Sequence, residues 1–184
     1  MESDRQILES GTSKEKIKIL ETLASSNDFE IIKKMISCLD DLDIKVRGEA
    51  FCSLILNKNK ISNLLIESLN SESENIRAFT ALVLANRDDT STIPSIINLV
   101  EDEHFMVRAF ALGALGHLKA KEAKDVVHRS ILDSNIEVRK SALQAMIDLK
   151  EEISEKEILE ILKDKDSELE KLIVKLKKSG PEGI

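Results

Sequence analysis

The sequence predicts an all-α chain of about six stacked helix pairs. Three observations predict it. The first is composition: 42% of the 184 residues are hydrophobic, yet the chain holds five Phe, no Trp and no Tyr. A core must therefore come from Ile, Leu, Val and Ala. With two Pro and six Gly, turn-rich strand architectures are poorly served. The second is recurrence. "DIKVRGEAFCSL" (43–54), "SENIRAFTALVL" (73–84), "HFMVRAFALGAL" (104–115) and "NIEVRKSALQAM" (135–146) share one pattern, with Arg47, Arg77, Arg108 and Arg139 at spacings of 30, 31 and 31. The third is the spacing inside each copy. A β-branched residue precedes each Arg: Val46, Ile76, Val107 and Val138. Three places on comes a small residue (Ala50, Thr80, Ala111, Ala142), and seven places on a large apolar one (Leu54, Leu84, Leu115, Met146). Those offsets share one side of a helix, so each copy is an amphipathic helix of about three to four turns.

A first helix precedes each motif helix. These run through Ile31, Ile32, Met35, Ile36 and Leu39; Ile61, Leu64, Leu65 and Leu69; Ile93, Ile96, Ile97 and Val100; then Val126, Val127 and Ile131. Pro94 falls early in its helix, where a missing N–H costs least. Ser71 with Glu74, and Ser134 with Glu137, have capping-box spacing. Weaker copies flank the four motifs. Lys16, with Ile19 and Leu23, stands 31 residues before Arg47. Glu170, with Leu169 and Ile173, stands 31 after Arg139. End copies with added charge suit caps whose outer faces meet water. The expected organisation is one domain over 1–178. It has an N-terminal cap pair at 1–26, four core repeats at 27–149 and a C-terminal cap pair at 150–178, followed by a flexible tail at 179–184.

These motifs resemble HEAT-like repeats, in particular the short class of about 30 residues associated with phycobilin lyases. The resemblance covers most of 13–178. It implies a right-handed α-solenoid (an alpha-alpha superhelix) of about six helix pairs, with second helices lining the concave side. It also implies that Arg47, Arg77, Arg108 and Arg139 form a structural ladder, pairing with acidic residues such as Asp41, Asp43, Glu74, Asp102 and Asp133. An interhelical Arg–carboxylate fork suits a half-buried guanidinium.

Chemistry-bearing constellations are sparse. HEAT-like proteins resembling deoxyhypusine hydroxylase carry iron-binding His-Glu pairs after the Val-Arg step. Here those places hold Gly48-Glu49, Ala78-Phe79, Ala109-Phe110 and Lys140-Ser141, and one carboxylate cannot hold a transition metal. His104, His117 and His128 lack metal-motif spacing. There is no Gly-rich phosphate loop and no Gly-x-Ser-x-Gly elbow. Cys38 and Cys52 read as reduced thiols that pack as small apolar residues. The expectation is a chain with no cofactor, no metal and no catalytic residues.

The informative feature is the outer stripe of the second helices, at offsets +1, +5 and +9 from each Arg. It reads Gly48, Cys52, Leu56; Ala78, Leu82, Asn86; Ala109, Gly113, His117; and Lys140, Gln144, Asp148. The first three rows carry no formal charge, where a merely solvated face would be rich in Lys and Glu. Gly113 costs about 1 kcal/mol relative to Ala inside a helix. Two accounts fit: a low-charge groove for a partner segment, or small side chains that relieve crowding on a curved inner layer. The partner-binding residues expected on the first account are Cys52, Leu56, Ala78, Leu82, Asn86, Ala109, Gly113 and His117. Phe79 and Phe110, at +2, are expected to pack between repeats. Lys171, Lys175, Lys177 and Lys178 read as a positive helix C-terminus.

The expected function is a non-enzymatic scaffold that binds a protein partner. The resemblance leaves two alternatives, a bilin lyase-like enzyme or subunit and a HEAT-like DNA-binding protein. A net charge of −7 and the absence of Trp and Tyr argue against nucleic acid. The chain begins charged, as "MESDRQILES", and no apolar run approaches a membrane span. A cytoplasmic monomer is the corresponding expectation.

Overall fold

The computed structural model describes residues 2–179. The tail expected at 179–184 lies outside the described residues except for Ser179, which closes the last helix. Among the described residues there are twelve α-helices and no strand. They run in order as α1 (Glu2–Ser10), α2 (Ser13–Leu23), α3 (Phe29–Ser37), α4 (Ile44–Leu56), α5 (Ser62–Ser68) and α6 (Glu74–Asn86). After them come α7 (Ile93–Asn98), α8 (Phe105–His117), α9 (Lys124–Ser130), α10 (Ile136–Leu149), α11 (Glu155–Ile161) and α12 (Ser167–Ser179). They fall into consecutive pairs, a short first helix and a longer second one. Several first helices carry a 3₁₀ turn at their end, as at Cys38–Asp40, Leu99–Glu101 and Leu162–Asp164.

The chain divides between Arg87 and Asp88 into two compact units of three pairs each. In the first unit the second helices lie side by side, α2 against α4 and α4 against α6, while α3 packs on α1 and α5. In the second unit α10 lies between α8 and α12 and is also packed by α9. At Gly116 α8 lies against the α10 backbone. A Cβ built there would stand 2.9 Å from the Ala145 Cα.

In the four motif helices the predicted core is the observed one with one exception, while Leu64, Ile97 and Val126 of the first helices and Ile19 and Leu23 of the first pair are only half-buried. Val46, Val107 and Val138 are buried, as are Ala50, Thr80, Ala111 and Ala142, and Leu54, Leu84, Leu115 and Met146. Ile76 is only half-buried. Thr80 takes the place that Ala holds in the other copies, and its hydroxyl is buried with no hydrogen-bond partner.

The helix starts differ from the spacing-based expectation. Ser71 and Ser134 are not N-caps. The cap of α6 is Ser73, whose hydroxyl accepts from the Ile76 N–H. That of α10 is Asn135, accepting from Glu137 and Val138. Ser71 instead accepts the Ser73 N–H, two residues on. This turn consumes the residues that the capping-box spacing would place at the helix end. True capping boxes occur in the outer pairs, Thr12 with Glu15 and Ser154 with Glu157. At the other end, Asp88, Lys119 and Lys150, spaced by 31, take left-handed φ values of 54°, 51° and 58°. After Lys119 the Ala120 N–H reaches back to the Leu115 carbonyl, and after Lys150 the Glu151 N–H reaches back to Met146. These are Schellman-type stops made without glycine.

Candidate functional site

The arginine ladder is the first candidate, and its geometry is structural. Each ladder Arg sends Nη1 back six residues to a main-chain carbonyl. Arg47 reaches Asp41 O at 2.8 Å, Arg77 reaches Ser71 O at 2.8 Å, and Arg108 reaches Asp102 O at 2.9 Å. Arg139 does the same to Asp133 O. The side chain of that same −6 residue accepts the N–H two places on, at Asp43, Ser73, His104 and Asn135. One residue thus shapes the turn and receives the guanidinium.

Arg108, Arg139 and Lys16 also reach forward 25 residues, to a carboxylate of the next pair. Arg108 forks onto Asp133, with Nε and Nη2 each at 2.9 Å from an oxygen. Arg139 pairs with Asp164. Lys16, at the ladder place of the first pair, meets Asp41 at 2.7 Å. Burial pushes the Asp133 carboxyl up, but the Arg108 fork and the Asn135 N–H outweigh it and hold the group below the ordinary carboxylate range. Asp41 is held low in the same way by Lys16 and the Asp43 N–H, against its burial. These cations are committed inside the fold. The two cations that line a cleft of about 670 Å³, Lys16 and Lys34, are paired likewise, with Asp41 and Glu9.

The second candidate is the outer stripe of the second helices. In the first unit Cys52, Leu56 and Asn86 are exposed, with Leu56 at 61%. Leu82 is half-buried and Ala78 fully buried. In the second unit Gly113 and His117 are exposed, while Ala109 is buried at 8%. Ala78 and Ala109 are therefore packing residues and not reachable contact residues. At +1 only Gly48 is exposed; Lys140 is half-buried, its side chain 14% exposed and paired with Glu137 and Glu168. His117 lies 3.8 Å from Asp88.

Gly48 and Gly113 are not explained by packing within the chain. A Cβ built at either meets no atom within 4 Å. Intrachain crowding does not require these glycines. Gly116, which the offsets passed over, is the one that packing requires. Its signal in the sequence was weak: a second Gly three residues after the first, on the buried side of α8.

Phe51 and Phe79 form an edge-to-face pair between α4 and α6, with centroids 6.3 Å apart. Phe79 thus packs between second helices of neighbouring repeats, as its offset predicted. The two cysteines differ from each other. Cys38 is buried, donates to the Leu8 carbonyl at 3.7 Å, and its thiol is pushed up to about 11 by burial. Cys52 is exposed, so it is not the core thiol that the sequence suggested. Among the described residues no group of three or more His, Cys, Asp or Glu side chains is placed to hold a metal ion. Among them, too, no helix is long and apolar enough to cross a membrane.

Paired helices, repeated turns and a periodic cation ladder define an α-helical repeat protein. Comparison with known proteins agrees. The family model of HEAT repeats matches residues 62–147. Two engineered proteins of known structure resemble the whole chain. One has a TM-score of 0.58 and 17% identity, covering 97% of each chain; the other has 0.53 and 18%, covering 98% of each. A designed armadillo repeat protein, solved in complex with the peptide (KR)4, gives a TM-score of 0.54 at 17% identity, covering 96% of this chain and 98% of its own. Comparison with curated proteins gives no match. The all-α solenoid class of helix pairs, of armadillo and HEAT type, is the fold of this chain.

Proposed function

We propose that this protein is a non-enzymatic interaction module that receives a segment of a protein partner on the outer faces of its second helices. The observation that carries the reading is the pair of open glycines. Gly48 and Gly113 weaken their helices by about 1 kcal/mol each relative to Ala, and a Cβ at either would meet no atom within 4 Å, so packing among the described residues does not call for them. A partner backbone or side chain approaching the bare helix does. Exposed Leu56 and Cys52 beside Gly48 supply apolar contact, and no charge on these positions must be desolvated. The fold supports the reading, since a designed armadillo repeat protein of like fold was solved with a bound peptide.

The test compares partner capture from the native source by the wild type, Leu56→Asp and Gly113→Arg. Both chosen sites are exposed, so both variants keep wild-type helicity and lose the partner. If folded variants of both kinds retain every partner, the reading is wrong.

A further inference from the structure

The last helix of the second unit carries a charged surface outside the ladder and the neutral stripe. Residues 171–178 carry four lysines and no carboxylate, in a chain of net charge −7. Lys171, Lys175 and Lys178 fall on one row of α12, at i, i+4 and i+7, and all three are exposed. Among the described residues none of the three is paired with a carboxylate. Lys175 meets only the Gln144 side-chain oxygen of α10, at 3.1 Å. Elsewhere in this unit Lys124, Lys140 and Lys163 each have a carboxylate within 3.2 Å, while the other unpaired lysines are scattered and do not form a row on one helix.

Neither simple explanation accounts for this row. The helix dipole favours cations in the last turn, and Lys177 and Lys178 occupy it. Lys171 is only the fifth residue of the 13-residue helix, and Lys175 also precedes that turn. Solubility of an end repeat calls for charge but not for one sign. α12 carries both signs, but they are segregated: exposed Glu168 and Glu170 stand in its first turn, Glu168 is taken by Lys140 at 2.9 Å, and only lysines follow, whereas α2 interleaves exposed Lys14, Glu15, Lys18 and Glu21. Like charges at i, i+4 and i, i+3 destabilise a helix, so the row carries a cost. Among these lysines lies Val174, 52% exposed. In α8 and α10 the same register place holds Leu112 and Leu143, both fully buried. Within this unit the +5 positions of the three second helices, Gly113, Gln144 and Lys175, pass from uncharged to cationic.

We propose that the α12 side of the second unit binds an acidic protein segment. Lys171, Lys175 and Lys178 take its carboxylates, and Val174 takes an apolar side chain between them. The proposal rests on the docking reading above and gives the partner its chemistry. A short acidic segment fits better than a nucleic acid. The row is a local patch, whereas a long polyanion extends beyond a screening length of about 8 Å and meets the acidic remainder of the chain.

The test is fluorescence anisotropy on the full chain with a labelled peptide alternating Glu and Leu, beside the same peptide with Gln for Glu. The Glu peptide binds the wild type more tightly than the Gln peptide, and its affinity falls as salt rises. The triple variant Lys171→Gln, Lys175→Gln, Lys178→Gln keeps its helicity and binds the Glu peptide about tenfold more weakly. A triple variant that binds like the wild type overturns the proposal, as does a wild type with no preference for Glu over Gln. Displacement of the peptide by a single-stranded oligonucleotide also overturns it. Gly113→Arg separates the two readings. Loss with Gly113→Arg but not with the lysine variant removes the acidic partner and leaves the docking face. Loss with the lysine variant alone keeps the acidic partner and removes α8 from its footprint.

Discussion

Replacing Arg108 with Ala should cost about 2–3 kcal/mol of folding stability. The estimate follows from its surroundings. Arg108 makes a two-pronged contact with Asp133 at 2.9 Å and 2.9 Å and donates to the carbonyls of Asp102 and Glu103. Its side chain is 15% exposed and that of Asp133 is 16% exposed. Breaking a fully buried pair costs about 3–5 kcal/mol, because a charge is stranded, whereas a solvent-exposed pair is worth about 0–1 kcal/mol. Asp133 keeps the Asn135 N–H at 2.8 Å, so it is not wholly stranded, and the figure lies between the limits. The control is Arg129→Ala. Arg129 stands 3.6 Å from Glu101 with both side chains more than half exposed, and its loss should cost below about 0.5 kcal/mol. Urea unfolding followed by far-ultraviolet circular dichroism measures both. Arg108→Lys should recover part of the loss, as Lys16 already serves Asp41 in the first pair.

Acid gives a second readout of the same contact. Asp133 is held below its unfolded value, so its contribution is full above about pH 4 and is lost as pH falls through the folded pKa. Without Arg108 that contribution shrinks, and the acid limb of the stability profile becomes shallower. Equal costs for Arg108→Ala and Arg129→Ala, or an unchanged acid limb, would refute the structural role of the ladder.

Two glycines on one helix should respond with opposite signs. Gly113→Ala meets open space and should stabilise by about 1 kcal/mol, while Gly116→Ala drives a Cβ against the α10 backbone and should destabilise by about 1 kcal/mol net. Thermal unfolding of the two variants checks this, and a shared sign would contradict the packing described. Lys119→Gly removes a side chain from a left-handed residue and should raise stability by about 1 kcal/mol in the same assay.

The sequence by itself determined the helix pairs, their spacing and the core. It did so because burial on one side of a helix imposes the 3.6-residue period, and that period is visible wherever Val46, Ala50 and Leu54 recur as Val107, Ala111 and Leu115. It did not place the helix starts. Ser71 and Ser73 are chemically the same cap, and only the turn that commits Ser71 to the Ser73 N–H decides between them. Nor did it separate Ala78 from Gly48, which share an offset. Their exposure depends on how closely neighbouring helices approach, and that distance is set by side chains far away in the chain. The same holds for Gly113 and Gly116. Both are glycine in one helix, yet one faces open space and the other lies against Ala145, a distinction that exists only once α10 is packed beside α8.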